Sequence, residues 1–112
     1  MNAYRVGFFY ELRAAGFVRG RGMRLLARRF RAADGEIDLI ARDGQTIVFI
    51  EVKARPQGRL GEGVQAVSAD KRRRLRNAAR AYLRHMGQEN APCRYDVLEF
   101  TRAGIQYIEN AF

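Results

Sequence analysis

Two alternating apolar stretches joined by Asp43-Gly44 constrain this chain more than any other feature. The segment "GEIDLIARDGQTIVFIEVKAR", Gly35 to Arg55, reads as a β-hairpin. Ile37 to Arg42 forms one strand, Gln45 to Arg55 the next, and Asp43-Gly44 the two-residue turn. That turn predicts Arg42 facing Gln45, Asp38 opposite Phe49 and Glu36 opposite Glu51, with Asp38 and Glu51 as diagonal neighbours. Alternation puts Glu36, Asp38, Phe49, Glu51 and Lys53 on one face, and Ile37, Leu39, Val48, Ile50 and Val52 on the other. A packed sheet face carries so many charges only if something compensates them.

In that register the Asp38 and Glu51 Cβ atoms lie roughly 7 Å apart or less. Two carboxylates reaching inward from that distance can share one divalent cation. Mg²⁺ takes oxygen ligands and commonly keeps one or two carboxylates together with waters and substrate phosphate. Without a cation the carboxylates repel one another and some hold a proton. Lys53 belongs to the same pattern: the chain has two lysines, Lys53 and Lys71, against nineteen arginines. A compact ammonium suits a place beside a metal-bound water and a phosphate, where it positions the nucleophile or offsets developing charge. The competing reading is an exposed sheet face with an ordinary Glu–Lys pair. The in-register Asp, the apolar opposite face and the basic composition favour the metal site.

The remaining chain supplies a frame for that hairpin. Val6, Phe9, Tyr10, Ala14, Phe17 and Val18 recur at helical spacing and predict a helix from Tyr4 to Arg19, ended by Gly20 and Gly22. Met23 to Arg31 is a candidate first strand. Pro56 to Gly63 is a glycine-rich loop. Ser68 is the expected N-cap of a long helix to Met86, with Gly87 as its stop. Leu75, Ala78, Ala79, Tyr82, Leu83 and Met86 form its apolar stripe. Arg94 to Phe100 and Ile105 to Ile108 read as two last strands. The order α-β-β-β-α-β-β predicts an α/β or α+β sheet with helices packed on it. At 112 residues the expectation is one domain, 1–112.

The net charge of +9 favours a polyanionic partner, most often nucleic acid. No apolar run approaches the roughly 20 residues of a membrane span, and the N-terminus lacks an h-region with a cleavage site. With Cys93 as the single cysteine, the expectation is a reducing, cytoplasmic location and no membrane partner. The "KRRRLRNAARAYLR" helix sets Lys71, Arg72, Arg73, Arg74, Arg76, Arg80 and Arg84 outside its apolar stripe, a surface suited to duplex phosphates. Arg55 and Arg59, on and beside the glycine-rich loop, extend it. The alternative is a solvated helix face. His85 reads as a surface residue, Cys93 as a small buried or edge residue at a strand start, and Asp96 as structural. The sequence has no Cys/His zinc spacing, no Walker-type loop and no Ser-His elbow.

The D-x(12)-E-x-K pattern across a hairpin resembles the PD-(D/E)xK nuclease superfamily. More closely, the chain is similar to the YraN family of small bacterial proteins, regarded as distant relatives of archaeal Holliday junction resolvases. The likeness runs from Gly7 and Glu11 through "LLARRFR", "GEIDLIARDG" and "VFIEVKAR" to "DKRRRLRNAARAYL", "RYDV" and "IENAF". The resemblance implies a restriction-endonuclease-like core, a central mixed sheet flanked by helices. It implies Asp38 and Glu51 as ligands of Mg²⁺ or Mn²⁺ and Lys53 as the catalytic lysine. Glu11 matches an acidic residue of the first helix that completes the metal site or holds a second ion; otherwise it is a helix-surface carboxylate. Glu36 is either a further contributor or a turn residue. Ile37 stands where the motif name has Pro, and Leu60 where relatives often carry Phe.

The function expected on these grounds is metal-dependent hydrolysis of DNA phosphodiesters, on branched or damaged DNA, with a homodimer if the substrate is a symmetric junction. The alternative is a catalytically weak or inactive nucleic-acid-binding module of the same fold. A third reading is an adaptor that applies its basic helix to an acidic protein.

Overall fold

The computed structural model describes residues 3–55 and 67–112, with side chains described from 7 to 54 and from 67 to 112. The expected glycine-rich loop, Arg59 and Leu60 lie outside the described residues, as does the side chain of Arg55. The elements are α1 (Ala3–Gly20), β1 (Arg24–Ala32), β2 (Gly35–Asp43), β3 (Thr46–Arg55), α2 (Ala69–His85), β4 (Cys93–Thr101) and β5 (Gly104–Ile108). The strands form one mixed sheet in the order β1-β2-β3-β4-β5. Three neighbouring pairs are antiparallel, and β3 and β4 run parallel, joined through α2. This is the α/β architecture expected from the sequence, a mixed sheet flanked by helices.

Each helix closes one face of the sheet. Leu75, Ala78, Ala79, Tyr82 and Leu83 of α2 pack with Ile40, Phe49 and Val97. Ala14, Ala15 and Val18 of α1 pack with Leu39, Val48, Ile50 and Leu98. Burying two apolar faces in this way supplies the main driving force for folding. Ser68 caps α2 by accepting the Lys71 N–H, and Gly87 follows its end at φ +66°, a left-handed conformation that glycine adopts without strain. Two stripe residues depart from expectation: Met86 and Phe9 are each about half exposed.

The hairpin register differs from the one expected. Asp43 pairs with Thr46, Arg42 with Ile47 and Leu39 with Ile50, so the turn residues are Gly44 and Gln45. Gly44 sits at φ +62° in the first turn position, where a type II′ turn favours glycine. The slip is two residues, so it preserves which face each side chain uses. Its effect is to bring Asp38 and Glu51 from a diagonal to the positions next after the Leu39–Ile50 pair.

Ile37 is a second correction. It packs against Phe30 and the α2 core rather than in the Leu39 layer. The β1–β2 ladder runs from Arg28–Leu39 to Phe30–Ile37 around Arg29, whose backbone is left-handed at φ +53°. That local reversal breaks simple alternation beside Asp38.

A candidate acidic centre between the helices

The acidic centre lies where β2 begins and β3 ends, between the middle of α1 and the first turn of α2. The last backbone pair of the β2–β3 ladder is Leu39–Ile50. Beyond it the Asp38 side chain takes over, its Oδ2 accepting the Val52 N–H at 2.8 Å. This fixes Asp38 beside Glu51, close enough for the two carboxyl groups to hydrogen-bond.

Glu51 is only 5% exposed, so water contributes little to holding its charge. Two ammonium groups do so instead: Lys71 Nζ lies 2.6 Å and Lys53 Nζ 3.3 Å from the same Glu51 Oε1. Both lysines of the chain therefore meet on one carboxylate. Burial and the neighbouring Glu51 charge push the Asp38 carboxyl up to about 7, which places its titration near neutral pH. Burial and the adjacent Lys71 lower the proton affinity of Lys53. For Lys71 burial works in the same direction, but the contact with Glu51 outweighs it and its proton is held more tightly than usual.

The carboxylate pair opens onto a groove lined by Gly35, Glu36, Asp38, Glu51, Lys71 and Arg74. Gly35 is required there. A Cβ on it would stand 2.2 Å from the Arg74 carbonyl oxygen, so only glycine lets α2 approach β2 this closely. A second groove on the α1 side is lined by Glu11, Arg29, Glu36 and Asp38 among others. Glu11 is buried, as a site residue would be, but its carboxylate accepts from the Arg29 guanidinium. Asp38 and Glu51 come together, Glu11 stands across the second groove, and no group of three or more possible ligands forms among the described residues. Glu36 pairs with Arg31 at 3.3 Å on the rim.

A bound divalent cation suits the donor set that is present. The Glu51 charge raises the proton affinity of Asp38, and a positive ion between the two carboxylates would remove that cost. Hard oxygen donors suit Mg²⁺ or Mn²⁺.

The arginines of α2 are less free than the expected outward fan. Arg72 donates to the Val67 carbonyl and stacks on Phe112, and Arg76 lies over Tyr95 and Phe112. Arg73 pairs with Asp70 and Asp34, while Arg80 donates to Asn77 at the surface. Lys71 departs from the fan altogether by turning inward to Glu51.

Sequence reasoning missed that inward turn, although the scarcity of lysine was a signal for it. It also missed the burial of Glu99, whose backbone lies in register with Lys53 in the parallel β3–β4 ladder. Nothing local announces a parallel partner, because the pairing is made through a crossover rather than a turn. Asp96, read as structural, is structural: fully buried, it accepts from Arg94, Tyr107 Oη and the Asn110 N–H.

Comparison with known proteins places these residues in a family. The profile described as uncharacterised protein family UPF0102 matches residues 10–100. A UPF0102 protein of Symbiobacterium thermophilum is 46% identical, the match covering 96% of both chains. A UPF0102 protein of Chromohalobacter salexigens is 44% identical over 99% of this chain and 93% of its own. One from Klebsiella pneumoniae is 43% identical over 96% and 86%.

Proposed function

We propose, for a chain that belongs to the uncharacterised protein family UPF0102, the function of a metal-dependent DNA endonuclease of the PD-(D/E)xK type. The observation that carries this reading is the junction of Asp38 and Glu51 in a groove with Arg74 on its wall, with the Lys53 ammonium on Glu51. Neighbouring carboxylates with a lysine beside them are the minimal set for metal-assisted phosphodiester hydrolysis.

Asp38 and Glu51 would hold Mg²⁺ or Mn²⁺, with Glu11 contributing from the second groove. When bound, the cation supplies Lewis acidity toward a phosphodiester and lowers the pKa of a water. The protein's own residues do the positioning. The Val52 N–H fixes the Asp38 carboxylate, and the strand fixes Glu51 and Lys53 on one face. Lys53 orients the attacking water or steadies the scissile phosphate. Arg74 on the groove wall and Arg72, Arg73, Arg76 and Arg80 beyond it hold flanking phosphates without reading sequence. Arg55 and Arg59 belong to the same proposed surface. The proposed substrate is branched or damaged DNA in the cytoplasm, and two copies would be needed to cut both strands of a symmetric junction.

The second reading is a catalytically weak or inactive nucleic-acid-binding module. It is favoured by the two lysines that already neutralise Glu51. Cleavage of labelled duplex, single strand, flap and four-way junction, with Mg²⁺ and with Mn²⁺, separates the two. The nuclease reading expects cleavage that disappears in both Asp38→Ala and Lys53→Ala. Salt-dependent binding without cleavage favours the module. Cleavage that survives both substitutions removes the proposed site.

A further inference from the structure

We propose that Lys71 is a latch on the cation seat: its ammonium stands against Glu51 where the divalent ion belongs, and must withdraw for the site to load. This rests on the reading of Asp38 and Glu51 as a cation-binding pair.

Lys53 and Lys71 share Glu51 Oε1, but they are held differently. Lys53 lies two residues along the same strand as Glu51, held by the backbone of β3. Lys71 arrives from another layer of the fold, on a four-carbon stem from the first turn of α2, and makes the shorter contact, 2.6 Å. Its side chain is one-third exposed and borders the groove, so it has an open direction in which to leave. Helix geometry does not favour it where it is, because the positive end of the helix dipole repels an ammonium. Among the described residues Lys71 forms its ion pair with Glu51, so Glu51 determines where its charge sits.

An ammonium and a divalent cation compete for the same oxygen lone pairs and repel each other at close range. An incoming ion therefore loses affinity by the work of displacing Lys71, and the coupling is reciprocal. Once displaced, the ammonium faces the groove, where a phosphate arriving with the substrate gives it a new counter-charge. Loading and substrate binding then support one another, and the metal-free protein stays closed to loosely held ions.

Calorimetric titration of Mn²⁺ into the full chain tests this without reference to activity. The proteins compared are wild type, Lys71→Met, Lys71→Arg and Asp38→Asn, each checked for an unchanged circular-dichroism spectrum. The latch expects Lys71→Met to bind Mn²⁺ about tenfold more tightly than wild type, Lys71→Arg to remain near wild type, and Asp38→Asn to lose binding. Unchanged or weaker binding by Lys71→Met overturns the latch while leaving the cation pair in place. Tightening in both Lys71 variants overturns it as well, because the charge would not be the cause. No binding by wild type or Lys71→Met overturns the cation pair and the latch together.

Discussion

Asp38 Oδ2 accepts the backbone N–H of Val52 at 2.8 Å, so a side chain of β2 does the work of a ladder carbonyl one residue beyond Glu51. The bond closes the hairpin where its backbone pairing ends and holds two acidic groups within reach of one another. A charge pair that the fold fixes at its own electrostatic cost is a hallmark of a site built for a ligand rather than for stability.

That cost has a pH signature. The Asp38 carboxyl titrates near 3.8 when unfolded and about 7 when folded, so folding favours its protonated form. Its stabilising effect is complete below pH 3.8 and is lost as pH rises through 7. Asp38→Asn keeps an oxygen for the Val52 N–H and removes the charge. With chelator present, the variant should melt above wild type at pH 8 by about 5 °C, and the gap should narrow at pH 5, closing only below the unfolded value of 3.8. Thermal denaturation by circular dichroism at both pH values reads this directly; an equal gap at the two pH values would contradict it.

Gly35→Ala should cost about 2–4 kcal/mol, because its Cβ would meet backbone atoms of Arg74 rather than a side chain that can turn away. Urea unfolding measures the loss. The same substitution pushes the first turns of α2 off β2, so it should also weaken the Lys71–Glu51 contact.

Asp96→Ala should cost about 2–4 kcal/mol, since it leaves the Tyr107 hydroxyl and the Asn110 N–H without their acceptor and leaves Arg94 only its Asp43 and Glu109 partners. Its distance along β4 from the Lys53–Glu99 pair leaves the acidic centre intact. Urea unfolding should show the loss, while Mn²⁺ affinity of the folded protein stays at the wild-type value.

Replacing Arg72, Arg73 and Arg76 with Gln should weaken DNA binding alike for all sequences and flatten its salt dependence by about two to three charges. Fluorescence anisotropy across a salt series gives both quantities. An unchanged slope would exclude this face of α2 as the binding surface.

Much of this was legible in the sequence for identifiable reasons. The α2 stripe from Leu75 to Leu83, Ser68 and Gly87 are local signals, and each marks the expected point, while Met86 falls outside the buried stripe. The shared face of Asp38, Glu51 and Lys53 survived a wrong register because a slip of two residues conserves alternation. The turn itself was misread by one residue: Asp-Gly is the commoner hairpin pair, yet here Gly44 opens the turn and Asp43 ends the strand. Ile37 escaped because a left-handed Arg29 is invisible to periodicity. The inward turn of Lys71 escaped because it is tertiary packing from a helix, and the burial of Glu99 escaped because it depends on a parallel ladder.

The most direct test is crystallographic: crystals of the full chain soaked in Mn²⁺, with anomalous scattering recorded at the manganese edge. The account predicts a peak bridged by carboxylate oxygens of Asp38 and Glu51, absent from the Asp38→Asn protein, with Lys71 Nζ drawn away from Glu51. An empty carboxylate pair in crystals that take up Mn²⁺ elsewhere, with Lys71 still on Glu51, would contradict it.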